Sequence, residues 1–274
     1  MRRLGKLLRY TLIILICALC LIPFYMLIVL ALNSPKRVFY EGNMFLPDFN
    51  LTNFIDAWGK SNIGRAMINS AIITIAALII LVLFGAMAAY TIARFKSKFN
   101  SFVFWLFLSC MMIPGIINTV PLYVLMRKLK LVNTLMGMAL VCAANALPSS
   151  LFVFTNFIKS LPKEIEEAAL IDGCSRFKTF WYIVLPMLKP SIAAVVILNG
   201  FGIWNNYSQA VFFLQSSSKH NIPQALSVYF QQFGGAHWNL MAATALIAVL
   251  PVVVAFLIFQ KNLIKGLTDG ALKG

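Results

Sequence analysis

The sequence predicts an all-α, polytopic membrane protein with six transmembrane helices. Of its 274 residues, 61% are hydrophobic and only 11% are charged, and the mean hydropathy is +0.85. A soluble domain of this length could not keep so much apolar surface away from water. Apolar runs long enough to cross a bilayer recur along the chain, since about 20 helical residues span roughly 30 Å of hydrocarbon.

Six apolar runs that contain no acidic or basic side chain define the predicted spans. The first run follows basic residues, as in a signal peptide, but its length and the lack of a clear cleavage site favour an uncleaved span. The whole chain, 1–274, is predicted to form one transmembrane domain with a cytoplasmic loop at 158–190. The predicted spans are residues 10–32, 67–93, 102–126, 133–157, 190–214 and 239–260.

Basic residues between the spans set the predicted orientation, because Lys and Arg are enriched in cytoplasmic loops. Six spans put both termini on one side, and that side carries the larger share of basic residues, so both termini are predicted to be cytoplasmic. Arg127, Lys128 and Lys130 are an exception, since this topology places them outside. The net charge of +15 is therefore attributed to topology and contact with membrane lipid, and no nucleic acid partner is expected.

Cysteine and histidine usage gives no sign of a metal or redox site. The chain has five cysteines, an odd number, and most lie inside apolar runs. Cys17 and Cys20 form a C-x-x-C pair, but they lie in the middle of a predicted span, where thiolate chemistry is disfavoured. We expect no metal and no cofactor in this chain, and no covalent chemistry.

The sequence contains no evident energy source of its own. The phosphate-binding motif G-x-x-x-x-G-K-[ST] is absent. All eight acidic residues lie outside the predicted spans, which argues against a proton-driven carrier. The argument is weaker against sodium, which backbone carbonyls can bind. A partner protein on the cytoplasmic side is the favoured energy source, and a gradient-driven carrier of a small neutral solute, a channel or a passive scaffold remain as alternatives.

The segment between the fourth and fifth spans begins with a predicted helix of about three turns. Pro162 suits a first helical turn, Glu164, Glu166 and Glu167 complement the helix dipole, and Gly173 is a suitable left-handed stop. One face of this helix follows the i, i+3, i+4, i+7 spacing, and the alanine pair within it permits close approach of another surface; its positions are Ile165, Ala168, Ala169 and Asp172.

A second predicted helix follows an elbow at Gly173. Ser175 can cap it, and its bulky apolar stripe predicts an interfacial helix under the bilayer, which Pro186 and Pro190 end. The two helices would form a rigid lever, although an ordinary amphipathic loop packed on the bundle is the alternative. The stripe consists of Phe177, Phe180, Trp181 and Val184.

These residues resemble the EAA loop of binding-protein-dependent ABC importer permeases. The resemblance lies in Glu167-Ala168-Ala169, in Asp172-Gly173 and in Ile183-Val184-Leu185-Pro186 followed by Pro190, with Cys174 in place of the usual alanine. It implies the type I ABC importer transmembrane-domain fold, in which the first helix, called the coupling helix, docks on an ATPase subunit. The residues that it assigns to ATPase coupling are Glu167, Ala168, Ala169, Asp172, Gly173, Leu185 and Pro186.

Other segments are similar to the carbohydrate branch of that family, in particular the second permease of maltose-type and multiple-sugar systems. The resemblance implies a permease that moves a sugar or oligosaccharide across the bacterial cytoplasmic membrane. It implies a homologous second permease in a heterodimer, two ATPase subunits that hold ATP and Mg, and an extracellular or periplasmic sugar-binding protein. The similar segments are Asn69-Ser70 with Thr74, residues 88–95, Trp204-Asn205 and the tail 265–274.

The fifth predicted span carries polar side chains that lipid would penalise. Amides hydrogen-bond hydroxyl groups in both directions, and aromatic rings offer apolar faces to sugar rings. Hydrogen bonding between helices and an interfacial aromatic belt are the alternatives for the same residues. The candidates for a substrate pathway are Asn199, Trp204, Asn205, Asn206 and Tyr207.

Overall fold

The computed structural model describes residues 2–34, 46–60, 62–231 and 237–271, and the regular structure in these ranges is helical throughout. The helices, in chain order, are α1 (Arg2–Leu32), α2 (Thr52–Lys60), α3 (Ile63–Arg94), α4 (Lys98–Cys110), α5 (Thr119–Lys128), α6 (Leu135–Ser160), α7 (Glu164–Ile171), α8 (Arg176–Met187), α9 (Lys189–Trp204), α10 (Ala210–Phe213), α11 (Ile222–Gln231) and α12 (Trp238–Ala271).

Four of the predicted spans are confirmed as continuous helices that are long and apolar enough to cross a membrane. They comprise Leu8–Leu32 of α1, all of α3 and α6, and Trp238–Ile258 of α12. Long apolar side chains cover the outside of these helices; in α1, for example, Leu8 is 75% and Ile14 is 68% exposed. Such a surface is stable only in an apolar solvent, which is why these helices need lipid.

The third predicted span, 102–126, is wrong as a single helix. Helix α4 ends at Cys110 and α5 begins only at Thr119. Pro114-Gly115 lies between them in a turn, in which the Ile117 amide donates to the carbonyl of Pro114 at 3.0 Å. A Pro-Gly pair interrupts a helix even inside an apolar run, and hydropathy alone does not register it.

The fifth predicted span, 190–214, is shorter than the apolar run. Helix α9 ends at Trp204, and only the short α10 follows. The axes of α8 and α9 differ by 70°, which confirms the predicted break at the prolines. Pro190 lacks the amide hydrogen that a continuous helix would donate to the carbonyl of Pro186. Counted with α8 as one broken span, α9 brings the candidate spans in the described residues to five.

The chain divides into two compact units, and the first comprises residues 1–64 and 225–251. Its core is made of small side chains from α1, α2 and α12, which let these helices approach closely; they are Ala31, Ala57, Ala242 and Ala243. The side-chain amide of Asn53 donates to the carbonyls of Ala31 at 2.8 Å and Asn33 at 2.9 Å. The Asn239 amide in turn donates to Asn53 Oδ1 at 2.8 Å, so an amide network joins three helices where water is excluded.

The second unit comprises residues 65–224 and 252–274 and contains two apolar clusters. One joins the first half of α3 to α5, α6 and α10, with Leu81, Met138 and Phe213 fully buried. The other joins the end of α3, the end of α6 and α8, and its largest buried residues are Tyr90, Phe154, Ile158, Phe180, Val184 and Leu188. The second cluster packs α8 against the ends of α3 and α6.

The predicted interfacial placement of the second loop helix is only partly right. In α8, Phe180 is 3% and Val184 is 1% exposed, because both pack into the second cluster, whereas Phe177 is 62% exposed. The apolar stripe therefore faces the chain's own helices more than a bilayer. An i, i+3, i+4 pattern identifies an apolar face but not the surface that covers it.

Candidate functional site

Helix α7 corresponds to the first helix predicted between the fourth and fifth spans, to which the family resemblance assigned ATPase coupling. It spans Glu164–Ile171, about two turns where three were predicted, because Leu161 is extended (ψ 139°) before Pro162. Gly173 has φ +84°, and the Cys174 amide donates to the carbonyl of Ala169 at 2.9 Å. This is a left-handed helix stop of the kind predicted, and it turns the chain sharply towards α8.

The two faces of α7 have opposite environments. Glu166 and Ala169 are 8% and 6% exposed and face the chain's own bundle, whereas Ile171 is 86% exposed. Ala169 therefore does not lie on the exposed face that the sequence pattern predicted, and its small side chain serves close packing within the chain. The remaining predicted docking residues of the elbow, Glu167, Ala168, Asp172 and Gly173, are exposed.

A buried ion pair fastens the inner face of α7 to the end of α3. The Arg94 guanidinium donates to Glu166 Oε1 through Nη2 at 2.6 Å and through Nε at 2.7 Å. The hydroxyl of Tyr90 donates to Glu166 Oε2 at 3.0 Å, and Arg94 Nη2 also donates to the carbonyl of Leu161 at 3.1 Å. Both carboxylate oxygens are thus satisfied, which makes burial of this charge tolerable.

Sequence reasoning missed Glu166, Arg94 and Tyr90 as parts of the site. Glu166 counted only as an acid that complements the helix dipole, and Tyr90 and Arg94 appeared only within a segment of family resemblance. One signal was present in the sequence. Glu166 lies one turn from Ala169 on a short helix, and an acid on the packed side of a helix needs a cation such as the one that ends α3.

The elbow rests on a cluster of aromatic rings. The centroid of Tyr90 lies 5.3 Å from that of Phe180 and 6.2 Å from that of Phe95. The Arg176 guanidinium lies 4.7 Å from the centroid of Phe95, a cation–π arrangement. The Ser175 hydroxyl accepts from the Lys178 amide at 3.3 Å, which confirms the predicted cap.

Two further residues of the predicted coupling set lie near the far end of α8. Leu185 packs against the second cluster, and Pro186 is exposed. The ion pair, the ring contacts and the packing of Leu185 connect α7, the elbow and α8 to the end of α3.

The predicted substrate-pathway residues separate into two groups. Asn199 donates to Ser150 Oγ at 3.3 Å and accepts from Ser149 Oγ at 3.3 Å, so it joins α9 to α6. The side-chain amide of Asn206 donates to Gln209 Oε1 at 2.9 Å, and Asn206 Oδ1 accepts from the backbone amide of Gln209 at 3.1 Å. The Asn199 contacts match the alternative of hydrogen bonding between helices, whereas those of Asn206 close the turn between α9 and α10.

The other three pathway residues lie at the end of α9 and in the turn that follows it. Asn205 is exposed, with its side-chain amide on the carbonyl of Phe201 at 3.1 Å. Tyr207 is 40% exposed, and Trp204 is half-buried. Asn205 and Tyr207 are thus exposed, whereas Asn199 and Asn206 make side-chain hydrogen bonds within the chain.

The loop after α10 is fastened to the second unit by side chains that sequence reasoning did not single out as a site. The side-chain oxygen of Asn133 accepts from the backbone amides of Gln215 and Ser216 at 3.1 and 3.0 Å. The Asn69 amide donates to the carbonyls of Ser218 and His220 at 3.1 and 2.9 Å. Burial lowers the pKa of the His220 ring, which keeps that ring neutral near neutral pH.

Within the described residues, the apolar helices define a multi-pass membrane protein in which a helix–elbow–helix segment follows α6. A family model described as binding-protein-dependent transport system inner membrane component matches residues 81–269, and the chain belongs to that family. It is therefore a permease component of an ABC importer and a multi-pass membrane protein, as the resemblance predicted.

Several permeases of known family are similar over most of this chain. The melibiose/raffinose/stachyose import permease protein MelC of Bacillus subtilis is 39% identical over 254 residues, covering 92% of this chain and 91% of that protein. The diacetylchitobiose uptake system permease protein NgcG of Streptomyces coelicolor is 30% identical, covering 96% and 88%. The arabinooligosaccharides transport system permease protein AraQ of Halalkalibacterium halodurans is 36% identical, covering 75% and 73%.

Solved structures confirm the fold class. A chain of a bacterial ABC transporter involved in the import of the acidic polysaccharide alginate superposes with a TM-score of 0.83 at 18% identity, covering 94% of this chain and 96% of that one. A chain of the alginate transporter in complex with an alginate pentasaccharide-bound periplasmic protein gives 0.66 at 15% identity. At these identities the likeness establishes the architecture of the transmembrane domain.

Proposed function

We propose that this chain is one of two permease subunits of an ATP-driven importer that carries a short oligosaccharide across the cytoplasmic membrane. The observation that carries the proposal is the two-faced helix α7. Its inner face is tied to α3 through Glu166 and Arg94, and its outer face exposes Ile171. A force applied to the outer face of α7 is therefore transmitted to the membrane-spanning helix α3 through direct side-chain contacts.

Two ATPase subunits, which hold ATP and Mg, supply that force, and each docks on the coupling helix of one permease. The exposed residues Glu167, Ala168, Ile171 and Asp172 form the docking face of this chain. ATP-driven closure of the ATPase pair pushes α7, and the rigid elbow passes the movement to α3 and α8. The permease pair then alternates between inward-open and outward-open states.

The substrate proposal rests on the relatives and on the chemistry of the described spans. MelC is named for melibiose, raffinose and stachyose, and AraQ for arabinooligosaccharides, so a neutral oligosaccharide is the class we assign. The ring of Tyr207 and the amide of Asn205 are exposed and suit a solute made of hydroxyl groups and apolar ring faces. Asn199 and Asn206 have a positioning role.

A second homologous permease and an extracellular or periplasmic sugar-binding protein complete the proposed machine. One related alginate transporter was solved with a periplasmic protein that carries a pentasaccharide, and we infer a comparable delivery step here. This arrangement requires α7 and both termini to be cytoplasmic, which the distribution of basic residues supports.

Uptake by reconstituted vesicles tests this function against a gradient-driven carrier. Vesicles that contain the chain with its co-expressed permease, ATPase and binding protein should accumulate labelled raffinose or stachyose only when ATP is inside the compartment that faces the ATPase subunits. Vesicles with this chain alone should accumulate none under a proton or sodium gradient. Gradient-dependent uptake by the chain alone would contradict the proposal.

A further inference from the structure

A basic cleft opens at the junction of α3, α4 and α6, next to the coupling elbow but outside its docking face. It has a volume of about 900 Å³ and is bounded by the turn 95–97, the first two turns of α4 and the end of α6. Four lysines line it, and no Asp or Glu is among its described lining residues; the lysines are Lys96, Lys98, Lys159 and Lys163.

The charge of these lysines is not compensated within the described part of the chain. Arg94 also lines the cleft, but its guanidinium is committed to Glu166. The Lys159 ammonium lies 5.1 Å from the centroid of the Phe104 ring, which orients it without neutralising it. The N-terminus of α4, capped by the Ser97 hydroxyl, adds the positive end of a helix dipole on the same side. A cleft of one charge sign focuses an attractive field on anions.

Exposed aromatic side chains of α4 lie beside the cleft. No side chain of this helix is buried, and Phe99, Phe102 and Trp105 are 71%, 63% and 68% exposed. The three lie one turn apart on one side of the helix, and Trp105 itself lines the cleft. Indole rings favour the boundary between headgroups and hydrocarbon.

We propose that this cleft binds the headgroup of an anionic phospholipid, with the phosphate among the lysines and an acyl chain along Phe102 and Trp105. A soluble anion would satisfy the lysines but would leave the aromatic side uncovered. A phospholipid satisfies both, and the ends of the long apolar helices α3 and α6 put the cleft at headgroup depth.

The bound lipid would brace the coupling element. Arg94 lines the cleft on one side and holds Glu166 of α7 on the other, and Lys163 immediately precedes α7. An anion in the cleft compensates the lysines beside this ion pair, so that they no longer compete with Arg94 for the carboxylate of Glu166.

Native mass spectrometry of the full-length chain, titrated with dioleoylphosphatidylglycerol or dioleoylphosphatidylcholine, tests the proposal. The variant K96Q/K98Q/K159Q should lose at least about tenfold in affinity for the phosphatidylglycerol. The matched control R127Q/K128Q/K130Q removes as many positive charges from exposed positions elsewhere and should keep its affinity, as should the charge-retaining K96R/K98R/K159R. Equal losses in the site variant and the control would overturn the proposal, as would no loss in either.

Two further measurements identify the occupant. Soluble glycerol phosphate at millimolar concentration should compete poorly, since it lacks the acyl chain; full competition would mean a site for a soluble phosphate compound instead. A phosphatidylglycerol with a photoreactive acyl chain should label the peptide that contains Phe102 and Trp105, and W105A should reduce the labelling. Labelling confined to other helices, with intact folding, would rule out this cleft as the lipid site.

Discussion

At the scale of single residues, the carboxylate of Glu166 meets the guanidinium of Arg94, 72 positions earlier in the chain. The side chains of this ion pair are 11% and 7% exposed. A buried charge that loses its partner costs about 3–5 kcal/mol, whereas removing both partners costs much less, since no uncompensated charge remains. Removing one partner of the ion pair should therefore destabilise the chain more than removing both.

We expect R94M to lower the free energy of unfolding of the detergent-solubilised chain by about 3–5 kcal/mol. Glu166→Gln should cost less, because its amide oxygen can still accept from Arg94 while its amide nitrogen can donate to the Tyr90 hydroxyl. The double variant R94M/E166L should be more stable than R94M alone. Unfolding titrations in a mixed-detergent system measure all three, and a double variant less stable than R94M would contradict the proposed pairing of the two side chains.

At the scale of elements, the elbow depends on one backbone conformation. Gly173 has φ +84°, and a Cβ at this position would meet open space, so only the backbone limits substitution. Asn tolerates left-handed φ better than other residues with a Cβ. Pro cannot adopt it, and Pro would also remove the amide that donates to the carbonyl of Leu170 at 3.1 Å.

The variant G173P should therefore reduce ATP-dependent uptake by at least about tenfold, because the angle between α7 and α8 changes. G173N is the matched control and should retain most of the uptake. Both are measured in the reconstituted importer at equal permease content. Unchanged uptake in G173P would remove the elbow from force transmission.

The outer face of α7 supports a second prediction at this scale. A charge in place of Ile171 should prevent this position from being buried against an ATPase subunit, and loss of a hot-spot residue at the centre of an interface costs about 2 kcal/mol or more. We expect Ile171→Glu to abolish co-purification of the ATPase subunit while leaving the chain folded.

Glu164→Gln changes an exposed residue on the same helix and serves as the control for this face. Co-purification should survive it, because Glu164 occupies the first turn of α7, away from the elbow. If Ile171→Glu retained the ATPase subunit as fully as Glu164→Gln, docking would have to occur elsewhere on the chain.

At the scale of the whole molecule, the proposed mechanism requires α7 and the loop 215–221 to lie on opposite sides of the membrane. The fifth predicted span, of which α9 forms the main helix, separates them, and the excess of basic residues on the α7 side indicates which side is cytoplasmic. This topology can be tested without any knowledge of the substrate.

A cysteine in place of Ile171, which is 86% exposed, should react with a membrane-impermeant maleimide only in inverted vesicles. Ser217→Cys, also at an exposed position, should react in intact cells or spheroplasts. Each variant shows, in the preparation where it is labelled, that the maleimide is reactive, and each shows, in the other preparation, that the membrane is sealed. Labelling of the position-171 cysteine in intact cells would reverse the orientation and remove the proposed coupling to a cytoplasmic ATPase.

Local patterns determined much of this protein. The positions of α1, α3, α6 and α12, the left-handed stop at Gly173 and the cap at Ser175 follow from hydropathy, chain length and backbone preference, which act over a few neighbouring residues. The family also follows from local residues, because the coupling motif is contiguous in the chain.

Only the tertiary structure decided which surfaces meet. It turned Ala169 and Glu166 inward, joined Glu166 to Arg94, buried Phe180 and Val184 within the chain and gathered four lysines into one cleft. The physical reason is that burial and charge pairing depend on partners distant in sequence. A helical period reports that a face is distinct, but what covers that face is set by the packing of the whole bundle.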